Sequence, residues 1–271
     1  MEDSRERLRR TFEEVPDAYE RARPRYPPEV FDDLITLTAV QHGARLLEIG
    51  PGTGQATLPL AERGYEIVGV ELGEALAARA RRKLANFSNV KIVTADFESW
   101  DAAEERFDAV VAFTAFHWID PELRYRKSAG LLKPDGALAV VATKHVLPEG
   151  GDAFWTEVQQ DYEAVVPDEE ATKAGAPGRP ESVGDLGAEI DQSGLFRTVA
   201  VRRYVWHVTY SADEYIAVLG TYSGHRNRDP AKRQRLDDLI RARIESRPDR
   251  SVTKTYLATL NVARKLHGIP G

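Results

Sequence analysis

A chain of 271 residues, 42% hydrophobic and 30% charged, has room for one large α/β domain with an insertion or for two modest domains. Its net charge of −6 and pI near 5.6 argue against a nucleic-acid binder, which needs a broad basic face. The absence of cysteine excludes disulfides, zinc–thiolate sites and cysteine nucleophiles, and suits a cytoplasmic enzyme. The opening stretch MEDSRERLRRTFEEV is charged throughout and predicts no signal peptide. No apolar run approaches the ~18 residues that a membrane helix needs.

Val30, Phe31, Leu34, Ile35, Leu37 and Val40 follow Pro27-Pro28 at helical spacing and predict a helix over 28–40. ARLLEIG then reads as a buried strand, and Ala56–Arg63 as a helix that leaves a glycine turn. YEIVGVEL is a second strand ending in an acid, Ala75–Ala85 a helix, and VKIVTADF a third strand, again ending in an acid. RFDAVVAFTAFHWI is a fourth strand running into a loop; Pro121–Leu132 is helical, KPDG a turn, and ALAVVAT a fifth strand. Beyond residue 150 the rhythm changes. Phe154–Val165 reads as one helix, 172–187 as a Gly/Pro-rich loop, and TVAVRRYVWHVTY as a strand. Ser211 and Glu214 form a capping box at the start of a helix striped by Tyr215, Val218, Leu219 and Tyr222, which Gly224 can end. Asp229-Pro230 opens a further helix, and SVTKTYLATLNVA is a last strand.

Strands alternating with helices predict a Rossmann-like α/β fold: a seven-stranded, mostly parallel sheet with helices on both faces, an antiparallel C-terminal edge hairpin and a helical cap. The expected division is a single domain over 1–271, with a core of 36–209 and 250–266 and a cap of 1–35 and 210–249. Ligands in such sheets bind outside the carboxyl ends of the strands. Glu48–Gly54, Glu71, Asp96 and Phe113–Trp118 all fall at those ends.

The turn LLEIGPGTGQ resembles a dinucleotide fingerprint only in part. Gly50 and Gly52 fit G-x-G-x-x-G, but the third position is Gln55. Glu48 would repel a pyrophosphate, and no lysine stands by to hold phosphate. Glu71, about twenty residues on, can accept from both hydroxyls of a ribose. Asp96 can accept from an exocyclic amine. A glycine turn with acids and no phosphate-binding group describes a nucleoside with an amino-acid tail and a positive centre, as in S-adenosylmethionine.

LLEIGPGTGQ, GVEL, TADFESW, FDAVVAFTAFHWID and LLKPDGALAV follow in order over residues 40–142 and resemble the motifs of class I S-adenosylmethionine-dependent methyltransferases. YERARPRYP before them and TYSGH after them resemble, more loosely, a bacterial small-molecule branch similar to trans-aconitate methyltransferases. Pro51 stands where many members have Cys, Ser or Ala. The resemblance implies that Gly50, Gly52 and Gly54 admit the methionine tail and that Glu71, with Leu72 beside it, holds the ribose. It assigns Asp96 to the adenine amine and the Phe97 backbone to the ring, and lays Phe113 and Thr114 beside the methionine amino group. Tyr19 and Arg23 match a leading segment that folds over the site, the arginine meeting the cofactor carboxylate.

His117 is a candidate general base and Trp118 a wall of the pocket; Glu20 is a second candidate base. Tyr26, His117, Trp118, Tyr222, His225 and Arg226 are candidate acceptor-binding residues, because an aromatic wall beside a cationic helix end suits a flat or acidic molecule. Helix-end cations are also favoured by the dipole whatever the function. The expected activity is methyl transfer from S-adenosylmethionine, leaving S-adenosylhomocysteine, to a carboxylate, phenol or amine of a bacterial metabolite, in the manner of secondary metabolism. No metal, nucleic-acid or membrane partner is expected, and the chain is expected as a monomer or homodimer. C-methylation of an indole-like ring is an alternative. A non-catalytic S-adenosylmethionine-binding or partner-binding module is another, and a Rossmann-type oxidoreductase is disfavoured by Gln55 and Glu48.

Overall fold

The computed structural model describes residues 24–266. The first half follows the expected rhythm. Helix α1 (Pro28–Thr38) starts on a proline and stops where Ala39 turns left-handed at φ 47°, burying Val30, Phe31 and Leu34. Then come β1 (Arg45–Ile49), α2 (Thr57–Glu62), β2 (Glu66–Glu71), α3 (Glu74–Lys83), β3 (Val90–Thr94) and β4 (Phe107–Phe113). A single 3₁₀ turn, Phe116–Trp118, precedes α4 (Pro121–Leu131), whose N-cap Asp120 accepts from the Glu122 N–H.

Three local readings differ from the structure. KPDG is no free turn but part of β5 (Leu132–Val146), with Asp135 taking the left-handed conformation at φ 63°. The helix expected over Phe154–Val165 breaks at Val158 into α5 (Phe154–Glu157) and α6 (Gln159–Val165). α7 (Glu170–Lys173), α8 (Gly187–Gln192) and β6 (Phe196–Ser211) follow. α9 (Ala212–Leu219) has the expected Ser211–Glu214 capping box, but its C-cap is Gly220 rather than Gly224, which lies inside the short α10 (Ser223–Arg226). α11 (Pro230–Glu245) and β7 (Ser251–Lys265) complete the chain, and among the described residues no helix is long and apolar enough to cross a membrane.

The sheet order is β3-β2-β1-β4-β5-β7-β6, and the pairs from β3 to β5 are parallel. The C-terminal strands run antiparallel. Side-chain bonds from Thr259 to the Ala142 carbonyl and from Asn261 to the Val140 carbonyl fit this for β7 on β5, as do the pairs Thr209–Thr253 and His207–Thr255 for β7 on β6. β7 is buried along almost all its length, as a strand flanked on both sides must be, whereas the edge strand β6 alternates half-buried and exposed residues. The chain divides into two compact units. One holds Arg25–Thr143, Asp185–Tyr204 and the end of β7; its core includes Leu47, Val68, Phe107, Val110, Leu138 and Phe196. The other holds Lys144–Gly184 and Val205–Leu257, around Phe154, Trp155, Tyr215, Val218, Leu236, Ile240 and Tyr256.

Candidate active site

The first unit places the glycine turn, Glu71, Asp96 and Phe113–Thr114 at the carboxyl ends of β1, β2, β3 and β4. Parallel pairing makes this a consequence of register: Ile49 stands beside Val70, Glu71 beside Thr94, and Ile49 beside Ala112. All the strands therefore emit their chains at one edge of the sheet.

Gly50 leaves β1 at φ 64°, its N–H on the Val70 carbonyl at 2.9 Å. A Cβ there would lie 2.7 Å from the Ala115 Cβ, so the turn after β4 packs on bare backbone. Gly52, at φ 58°, differs: nothing lies within 4 Å of the position its Cβ would take. Its N–H donates to Glu71 Oε2 at 2.8 Å, and the Gly73 N–H donates to Oε1 at 2.9 Å. The strand-end acid therefore ties the turn after β1 to the turn after β2. Gly69 of β2 is small where Pro51 passes; a Cβ there would meet Pro51 Cγ at 3.0 Å.

Glu48 sits in the middle of the sheet, between Gly69 of β2 and Val111 of β4, and is 1% exposed. Its Oε2 has no hydrogen-bond partner among the described residues. Burial pushes its carboxyl up to about 7, and the Glu71 carboxylate adds to the rise. The Thr57 hydroxyl pulls the other way, though it closes no hydrogen bond of standard geometry.

Beyond β3 the chain turns over Asp96, whose Oδ1 accepts the Glu98 N–H at 3.0 Å and whose carbonyl accepts from Ser99 and Trp100. Phe97 is buried. Lys127 of α4 fastens this loop: its Nζ donates to the carbonyls of Glu98 at 3.0 Å and Trp100 at 2.6 Å and lies 5.4 Å from the Phe97 ring centre. Burial draws its ammonium below the ordinary lysine range, opposed by the charges of Asp96, Asp101 and Glu98. No periodicity or motif in the chain singles this lysine out.

After β4, Thr114 takes φ 55°, a strained choice for a β-branched residue and one that functional turns favour. Its hydroxyl meets the Tyr26 hydroxyl at 2.8 Å and accompanies Thr143 at 3.3 Å. Tyr26 also stands edge-on to Phe113 at 5.2 Å, and Phe113 stacks on Phe31 at 5.5 Å. His117 is exposed, its ring 4.9 Å from that of half-buried Trp118. Leu72 is half-buried between Glu71 and Gly73. Tyr19, Glu20 and Arg23 lie outside the described residues.

Tyr222, His225 and Arg226 belong to the second unit. His225 is buried with both ring nitrogens engaged: Nε2 on Asp237 Oδ1 at 2.8 Å and Nδ1 on Arg228 Nη1 at 2.6 Å. Arg228 grips Glu169 in turn. An arginine can only donate, so Nδ1 accepts and the Nε2–H donates to Asp237. This imidazole is a structural joint in a buried network. The Arg226 carbonyl accepts from Arg233, and the Tyr222 hydroxyl accepts from Lys254 at 3.0 Å.

Residues 47–140 match the family model described as a methyltransferase domain. An uncharacterized methyltransferase of Mycobacterium tuberculosis is 34% identical over 145 residues, or 52% of this chain and 55% of that protein, so the chain spans about half the length of the relatives it matches. Among solved structures, the YcgJ protein of Bacillus subtilis is similar over 89% of this chain and 99% of its own, with a TM-score of 0.53 at 18% identity. A phosphoethanolamine N-methyltransferase of Haemonchus contortus, solved with phosphomonomethylethanolamine and S-adenosylhomocysteine, is similar over 94% of this chain and 57% of its own, with a TM-score of 0.51 at 14% identity. At such identities the structural likeness is one of fold. The segment 47–140, carried on a Rossmann-like sheet, is a methyltransferase domain.

Proposed function

We propose that the chain is an S-adenosylmethionine-dependent methyltransferase acting on a small-molecule acceptor. The observation that carries this reading is the junction of Gly52 with Glu71, a carboxylate held by two backbone N–H groups beside a glycine with open space before it. The donor set fits the cofactor. The buried Glu71 carboxylate disfavours a pyrophosphate and suits a cationic nucleoside, and the buried Glu48 carboxyl adds to this in the fraction that is ionised. Glu48 Oε2 keeps unused hydrogen-bonding capacity.

In this reading Gly50, Gly52 and Gly54 admit the methionine tail, Glu71 holds the ribose hydroxyls, and Asp96 with the Phe97 backbone holds adenine. Phe113 and Thr114 flank the amino group. When bound, the cofactor supplies a methyl group already activated on a sulfonium. The protein's work is then alignment of the acceptor and exclusion of water. A base is required only if the acceptor must lose a proton, and exposed His117 is the described residue suited to take it. The acceptor is a carboxylate, phenol, amine or indole-like ring.

Titration calorimetry with S-adenosylmethionine, S-adenosylhomocysteine and NAD is the first test. Binding of the first two and not the third is expected, followed by label transfer from methyl-labelled cofactor to a panel of small acids, phenols, amines and indoles. Binding of NAD in preference would overturn the reading. Cofactor binding with no transfer to any acceptor would favour an idle binding module.

A further inference from the structure

Lys254 is the one charged residue in the middle of SVTKTYLATLNVA, and the structure buries it to 3% exposure. Taking an ammonium out of water costs several kcal/mol, roughly, so buried charges are paired. Among the described residues Lys254 has no carboxylate partner. Its Nζ donates to the Tyr222 hydroxyl at 3.0 Å and lies 5.4, 5.0 and 5.3 Å from the ring centres of Trp155, Tyr222 and Tyr256. Ring faces offset only part of that cost. An ammonium has three N–H donors, and one hydroxyl answers one of them.

The two strands that flank β7 each add a buried ring nitrogen. Lys254 and Tyr256 share a face of β7, because side chains alternate along a strand. Across that face Tyr256 stacks on Trp206 of β6 at 5.3 Å, and the His145 ring of β5 lies 6.4 Å from it on the other side. Trp206 Nε1 and His145 Nε2 are both buried without a hydrogen-bond partner. Each residue as a whole remains half-exposed, as does Tyr222. Burial, aided by the Lys254 charge, pushes the His145 imidazole down to about 2, so it stays neutral and does not add to the local charge.

A buried cation without a carboxylate and an unanswered imidazole nitrogen beside it, set among flat aromatic faces, lack one thing, a singly charged anion on a planar body. We propose that Lys254 and His145 form a binding site for the carboxylate of an aromatic or conjugated acid, whose ring lies against the aromatic side chains, Trp206 among them. A phosphate dianion fits less well, because a single positive charge faces it. The assignment of this acid as the methyl acceptor rests on the methyltransferase reading above; the anion site itself does not.

The test is calorimetry on the full chain with S-adenosylhomocysteine present, using benzoate and indole-3-acetate against benzamide and indole-3-acetamide, with inorganic phosphate as a third arm. At least one acid should bind tenfold or more tightly than its amide. Lys254→Met should reduce that preference below twofold while S-adenosylhomocysteine affinity stays within twofold, and His145→Phe should weaken the acid three- to tenfold. Equal binding of acid and amide, no binding of any acid, a preference that survives Lys254→Met, or phosphate outcompeting the acids would each overturn the proposal. If Lys254→Met does not fold, the contrast between acid and amide in the wild type and in His145→Phe decides. Failure of S-adenosylhomocysteine to bind the wild type would count against the methyltransferase reading instead, and the acid–amide contrast would then be read without it.

Discussion

Replacing Glu48 with glutamine should stabilise the folded protein at neutral and alkaline pH and change little in acid. The carboxyl is 1% exposed and is pushed from 4.5 to about 7, with burial as the largest cause. A folded pKa above the unfolded value means that the protonated acid is the form the fold tolerates. That stability is fully present below about pH 4.5 and is lost as pH rises through 7. At about 1.36 kcal/mol per pH unit, the gap between the two values amounts to about 3 kcal/mol in the alkaline limit, of which about 1 kcal/mol is gone by pH 5.5 and most by pH 7. Glutamine keeps the shape and cannot ionise. Urea unfolding of wild type and Glu48→Gln, without cofactor, from pH 4.5 to 8.5 reads the effect, because titrations that do not interact with Glu48 cancel in the difference and only the coupled Glu71 adds to it. The two stability curves should run together in acid and diverge above pH 5, with the mutant ahead by about 3 kcal/mol at pH 8. Parallel curves across the range would refute the buried-acid argument, and divergence toward low pH would mean that Glu48 is held ionised by a partner.

Gly50→Ala and Gly52→Ala should separate packing from ligand clearance. Both face left-handed strain of about 1–2 kcal/mol, but only Gly50 meets another atom, so its variant should lose more melting temperature. Gly52→Val should bind S-adenosylmethionine far more weakly while remaining folded, and near-normal affinity by calorimetry would displace the methionine tail from that turn. Lys127→Met removes two hydrogen bonds to loop carbonyls and should cost about 1–3 kcal/mol, read as a loss of stability and roughly tenfold weaker cofactor binding; unchanged affinity would show that the loop over Asp96 holds its shape without the lysine. His117→Ala should lower turnover about 10²–10⁴-fold at unchanged cofactor affinity if the acceptor must be deprotonated, and a variant that loses binding and turnover together would make His117 a wall of the pocket.

The order of strands and helices to residue 142 was legible because each element there carries its own local signal: apolar runs for β1, β2 and β4, prolines opening α1 and α4, and a glycine turn leaving β1. The clustering of Glu48, Glu71 and Asp96 was legible for a related reason. Parallel strands all end at one edge, so acids at strand ends must converge there. Sequence alone also marked the Ser211–Glu214 cap, since a capping box is a contact between near neighbours. Features made of distant partners were not legible. That Glu71 spends its carboxylate on the Gly52 and Gly73 N–H groups, that His225 is locked between Asp237 and Arg228, and that Lys127 fastens the loop over Asp96 all depend on which chains lie side by side. The same holds for β7. Its sequence marks it only as a last strand, whereas the order β5-β7-β6 puts it inside the sheet, and burial on both faces leaves Lys254 a cation without a carboxylate partner among aromatic rings. Periodicity reports how a segment meets its own neighbours in sequence; which strand flanks it is decided by the whole fold, and that choice sets the cost of every charge it carries.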